Sequence, residues 1–103
     1  GPVRTVELPA KSSGMRVYDL PSDAVAGAEP LRLLGKDPRR KSVLFKVRTG
    51  DIKIGVTKNE AAGAYAAEFE AGDLFPLVTT DEIWAIGLAG VARLTVVNQA
   101  WAD

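Results

Sequence analysis

The stretch RRKSVLFKVRTGDIKIGV, residues 39–56, sets the reading of the whole chain. Val43, Phe45 and Val47 alternate with Ser42, Leu44 and Lys46. The triplet Thr49-Gly50-Asp51 follows, and then Ile52, Ile54 and Val56 alternate with Lys53 and Gly55. A period of two puts alternate side chains on one face, so each run reads as a β-strand with an apolar side. A glycine-centred turn between two such runs predicts a β-hairpin. Directly in front of it, after Pro38, stands the basic triplet Arg39, Arg40, Lys41.

Towards the C-terminus the same signal recurs. AGDLFPLVT (71–79), EIWAIGL (82–88) and GVARLTVVNQAW (90–101) are strand-length apolar runs bounded by Gly, Asp or Thr. Between them and the hairpin lies TKNEAAGAYAAEFEAGD (57–73). Its alanines and glutamates favour helix, but Gly63 interrupts it, and Tyr65, Ala67 and Phe69 alternate with Ala66 and Glu68. It reads as a loop leading into a short strand. Towards the N-terminus, residues 3–38 hold four of the six prolines, around apolar pieces at 3–8, 15–20 and 31–34. Proline removes a ladder donor, so this part reads as an extended arm of edge strands and turns. PSDAVAGAEP (21–30) has room for one helical turn capped by Ser22 or Asp23. Gly1-Pro2 reads as the scar of a cleaved expression tag. The expected fold is all-β: a small antiparallel β-sandwich or barrel over residues 39–103, with a C-terminal tail and a proline-punctuated N-terminal arm.

Composition narrows the chemistry. At 103 residues there is room for one modest core. Thirteen basic and thirteen acidic residues give a formal net charge of zero, which argues against a general nucleic-acid binder. No apolar stretch approaches the ~20 residues that span a bilayer, and Arg4 and Glu7 interrupt any signal-peptide pattern. The chain has no His and no Cys, so the commonest general base, the strongest nucleophile and the usual zinc ligands are missing, along with any disulfide. No phosphate-cradling glycine motif and no calcium-loop motif occurs. The adjacent acids Asp81 and Glu82 point to opposite faces if the chain is extended there, which suits a loop better than acid–base work. No catalytic residue, metal or cofactor is therefore expected.

The order of features over residues 39–97 resembles a group of small β-sandwich virion proteins of tailed bacteriophages: the decoration, cement and head-fibre components outside the capsid. The matching pieces are the basic cluster and aliphatic strand RRKSVLFKV, the glycine-ended strand IKIGV, the glycine turn and strand FEAGDLFPLVTTDEIWAIG, and the final AGVARLTVV. The resemblance implies a non-enzymatic structural protein, made in the host cytoplasm and carried on the capsid exterior. It would bind the major capsid protein and stabilise the lattice, as a homotrimer, with no nucleic acid or membrane partner. The alternative is a ligand- or receptor-binding sandwich of a virion fibre, for carbohydrate or host surface, with Trp84, Tyr65 and Phe69 lining a groove. A small regulator that binds a host factor is a third reading, against which a net charge of zero speaks.

Each candidate contact has two readings. Arg39, Arg40 and Lys41 either reach carboxylates on a partner or form a solvated lip that discourages edge aggregation. Val3, Val6 and Leu8, like Met15 and Val17, either add a strand to a neighbour's sheet edge or form an edge strand of their own domain. Trp84, alternating with Ile86, reads as core. Trp101, in the tail beside Asn98 and Gln99, reads as an interface residue or a folded-back plug.

Overall fold

The chain that leaves Arg40 does not turn back at Gly50. In the computed structural model, which describes residues 10–101 and the side chains of 14–100, it runs on as one strand to Gly55. The elements are β1 (Ala10–Leu20), β2 (Leu31–Leu34), β3 (Arg40–Gly55), α1 (Lys58–Ala62), β4 (Ala67–Phe69), β5 (Leu74–Leu77) and β6 (Ile83–Trp101). β3 is antiparallel to β6 along its whole length, from Arg40↔Ala100 to Gly55↔Trp84. The expected hairpin is therefore corrected. The partner of residues 43–47 is not 52–56 but the far end of the chain.

Gly50 makes the difference. The register passes from Thr49↔Arg93 to Asp51↔Leu88, so a single residue of β3 faces the four-residue segment 89–92 of β6. Both strands bend there. Gly50 has φ of 72°, and a Cβ on it would lie 2.6 Å from the Val91 carbonyl oxygen. Ala89 takes the matching left-handed conformation, φ 64°, and its N–H donates to Asp23 Oδ1 at 2.7 Å. The segment 21–30, which has room for one helical turn, binds this bend instead. Asp23 N–H donates to the Gly87 carbonyl and Gly87 N–H to the Pro21 carbonyl, while the chain from 22 to 28 makes successive turns.

The bend divides one sheet into two leaves. The front leaf is β1, the second part of β6, the first part of β3, and β5. The back leaf is β2, the first part of β6, the second part of β3, and β4. Crossing the bend reverses the parity of inward-facing residues on both strands. Val43, Phe45 and Val47 give way to Ile52 and Ile54, and Ile83 and Ala85 to Ala92, Leu94 and Val96, all in one buried cluster. The leaves close on both sides. Phe69 of β4 stacks on Phe75 of β5 with centroids 3.7 Å apart, and Phe75 stacks on Phe45 at 5.0 Å. Opposite, Tyr18 Oη of β1 donates to the Leu33 carbonyl of β2 at 3.0 Å. The fold is thus an all-β sandwich curled almost into a barrel.

Residues 10–20 and 31–34 are edge strands of this sheet. β1 pairs with β6 from Ala10↔Trp101 to Leu20↔Ala92, so Met15 and Val17 lie in the protein's own edge strand. Helix α1 replaces the expected loop. Its start is a capping arrangement, with Glu60 N–H donating to Thr57 Oγ1 and Glu60 Oε1 accepting from Val56 N–H. Ala61 is fully buried, and a Cβ at Gly55 would lie 2.5 Å from its amide nitrogen, so the helix sits directly on that glycine.

The two bend residues should respond to substitution with opposite signs. Gly50→Ala places a methyl group against a backbone carbonyl in a left-handed conformation and is expected to cost about 2–3 kcal/mol. Ala89→Gly removes a left-handed strain at an open site and should be neutral or stabilising by up to about 1 kcal/mol. Urea denaturation followed by tryptophan fluorescence measures both. Equal losses at the two positions would show that the bend does not depend on these conformations.

Candidate docking face

The two leaves differ in what covers their outer sides. On the back leaf α1 lies over Gly55, Lys53 Nζ donates to the Ala62 carbonyl at the helix end (3.2 Å), and Ile86, outward by register, is only 2% exposed. Trp84 is half-buried on the same side, its Nε1–H donating to Glu82 Oε1 at 2.8 Å. The front leaf has no such cover among the described residues.

Its outward side chains fall into rows across the four strands. Met15, Val97, Leu44 and Pro76 form one continuous apolar row. The next row is Val17, Thr95, Lys46 and Leu74. Met15 is 69% exposed, Val17 57%, Leu44 39% and Leu74 61%. Apolar side chains in contact with water on neighbouring strands are unfavourable at roughly 25 cal/mol per Å². A contiguous patch with polar surroundings is the anatomy of an interaction surface.

The surroundings are basic. Arg48 Nε donates to Thr95 Oγ1 at 3.0 Å, covering that threonine, and Lys46 Nζ donates to the Gly72 carbonyl at 3.1 Å. Neither has a carboxylate within ion-pair distance among the described residues. Arg93 is held by Asp19, Nε to Oδ1 at 2.8 Å, and that hydrogen bond raises its pKa above the ordinary arginine value. The face thus presents an apolar centre with a net positive border.

The basic triplet is not one surface. Arg39 is exposed and Lys41 half-buried, but Arg40 is only 5% exposed. Its guanidinium donates to Asn98 Oδ1 (3.0 Å) and to the carbonyls of Thr79 (3.1 Å), Asp81 (2.8 Å) and Gly35 (2.6 Å). Neither expected reading applies to it, because its donors are used internally. Burial pushes its pKa below the usual arginine value, partly offset by the charge of Asp37. Five donors in a rigid fork suit this task, which no other side chain could perform at four separate acceptors.

The remaining candidates separate. Tyr65 is fully exposed in the loop after α1, Phe69 lies in the internal aromatic stack, and Trp84 lies on the back leaf. The structure does not bring these three into one groove. Trp101 ends β6, paired with Ala10, and its side chain lies outside the described residues, as do Val3, Val6 and Leu8. A cavity of 260 Å³ opens between β1 and residues 33–35, lined by Arg16, Tyr18, Leu33 and Asn98 among others. No group of three or more His, Cys, Asp or Glu suited to a metal occurs among the described residues, and no helix there is long and apolar enough to cross a membrane.

No protein-family model matches the chain, and no curated protein matches it in sequence. Solved structures do match in shape. An RmlC-like cupin with a double-stranded β-helix fold from Methanocaldococcus jannaschii superposes with a TM-score of 0.59 at 9% identity, over 98% of this chain and 94% of that one. A cupin-2 domain protein from Shewanella frigidimarina gives 0.55 at 9% identity, over 94% and 83%. The fold is cupin-like. At such identity the likeness extends to the path of the chain and not to its side chains.

The front-face residues were legible in one signal that strict alternation hides. VLF at 43–45, LFPL at 74–77 and VV at 96–97 are consecutive apolar residues, which in a strand means apolar character on both faces. For Arg40 the expected outcome is structural. Arg40→Met leaves four acceptors without a donor and should cost about 3 kcal/mol or more in urea denaturation, and Arg40→Lys should recover only part of it. A loss below about 1 kcal/mol would show that water replaces the guanidinium.

Proposed function

We propose that this chain is a non-enzymatic structural protein that works by docking the outer face of its front leaf on a protein lattice, and that the lattice is the exterior of a tailed-phage head. The observation that carries the reading is the contrast between the two outer faces. One is closed by the chain's own helix; the other leaves Met15, Val17, Leu44 and Leu74 exposed beside Lys46 and Arg48, neither of which has a carboxylate within ion-pair distance among the described residues. The complementary surface has an apolar centre and an acidic border. Such borders steer association and set orientation, while the apolar centre supplies most of the affinity. The resemblance of residues 39–97 to capsid decoration proteins supplies the phage head as the partner. The cupin-like fold is compatible with this, because a fold does not by itself imply a chemistry.

Co-sedimentation with empty phage heads stripped of their own decoration protein tests the reading. Saturable binding is expected, lost in Leu44→Asp and weakened several-fold by Arg48→Gln, with steep salt dependence. Leu44→Asp should cost only about 1 kcal/mol of stability, seen as a thermal shift of about 4–8 °C, because the side chain is already partly in water. Binding that survives Leu44→Asp would move the contact away from this face, and no saturable binding to any head would remove the capsid.

A further inference from the structure

Of the four sheet edges among the described residues, three are blunted. β2 has four residues and a register shift, β4 has three, and β5 has four with Pro76 among them. Short strands and prolines are ordinary ways of protecting an edge. The fourth edge, β1, is 11 residues long and is paired only with β6. Its stretch Gly14–Val17 is exposed throughout, and no Pro or register shift interrupts it between Ser12 and Leu20.

We infer that this edge pairs with the same edge of a second copy, antiparallel across a two-fold axis centred on Met15. Three features of the structure select this occupant and this register. First, directly opposite residues of antiparallel strands share a face, so the outward Met15 must meet an outward residue. The two-fold registers that satisfy this within the exposed stretch centre on Gly14, Met15, Arg16 or Val17; centring on Gly14 sets Met15 against the polar Ser13 and breaks the apolar row, which leaves three. Second, charge decides among them. Centring on Arg16 sets two guanidinium groups opposite each other, and centring on Val17 sets each Met15 against the carboxylate of Asp19, which already holds Arg93. Centring on Met15 sets Arg16 opposite Gly14, whose missing side chain leaves room for it; a Cβ at Gly14 would meet nothing within 4 Å. Third, the apolar row of the front face runs off the sheet at Met15. The two-fold continues it without a break, from Pro76, Leu44, Val97 and Met15 of one copy through the same residues of the other in reverse order. A formal net charge of zero places no long-range repulsion between the copies.

The pairing joins two front leaves into one eight-stranded sheet with a doubled apolar face. It gives a two-fold assembly in place of the trimer that the resemblance implied. It rests on the β1 edge alone and stands or falls separately from the phage-head reading, which is tested at Leu44.

Cysteine cross-linking is direct because the chain has no cysteine of its own. In full-length protein, Met15→Cys should oxidise in air to a disulfide dimer, since directly opposite Cβ atoms in such a pair lie ~4.5–5.5 Å apart. Leu44→Cys, on the same face but two strands in, should stay reduced under identical conditions. Light scattering of the unmodified protein across a dilution series should give twice the chain mass of 10.9 kDa. A monomer at every concentration with no Met15→Cys cross-link would overturn the proposal. So would cross-linking of Leu44→Cys in preference to Met15→Cys, which is the signature of two front faces packed on each other.

Discussion

The architecture depends on two strands bending at the same level. β3 and β6 are each too long to lie flat on one core of this size, and neither could bend alone without breaking the ladder between them. Placing Gly50 against residues 89–92 lets the ladder continue through the corner. The inward face must then switch parity on both strands together, and it does, from Val47 to Ile52 and from Ala85 to Ala92. With that corner fixed, the other strands have only to extend the leaves. The Phe45–Phe75–Phe69 stack closes one side and the Tyr18–Leu33 hydrogen bond the other. Arg40 fastens the end away from the bend, where the loops at 35 and 79–81 meet Asn98.

The same geometry explains why the outer faces are unequal. The helix follows β3, so it can reach only the back leaf, where Gly55 leaves space for its backbone. The front leaf is flanked by β1 and β5, whose connections run away to the bend and the loops. Its apolar row of Met15, Val97, Leu44 and Pro76, exposed except at the half-buried Val97, is therefore not a defect of packing within the chain. It is surface for which the chain carries no cover of its own among the described residues.

How much of this could be read in the sequence depends on the interaction involved. The class of fold was legible because side-chain alternation is local, and the strands at 31–34, 43–47, 52–54 and 74–77 all appear near where the pattern places them. The connection at Gly50 was not legible. A glycine at positive φ serves a hairpin turn and a bulge in a bent strand equally well, and the two give the same parity change. Only the partner strand, some fifty residues away, distinguishes them. Helix α1 was missed because Gly63 was weighed against it, whereas the Thr57–Glu60 cap was the stronger local signal. Arg40 looked like its neighbours because burial is not written in a charge run. Its four acceptors lie at positions 35, 79, 81 and 98, and no spacing rule links them.

The long pairing of β3 with β6 has a consequence for how the molecule comes to exist. Phe45 lies opposite Val96, and no tight hairpin joins the two strands to start the ladder. The entropy of closing a large loop must be met before any of these pairs forms, and topologies of this kind fold slowly for their length. During that search β1 waits for β6, its one strand partner among the described residues. The nascent protein therefore carries an unpaired, partly apolar strand until the β6 segment arrives. Burial of Arg40 needs that segment too, through Asn98, so the clamp belongs to the closing steps of folding and not to its nucleus.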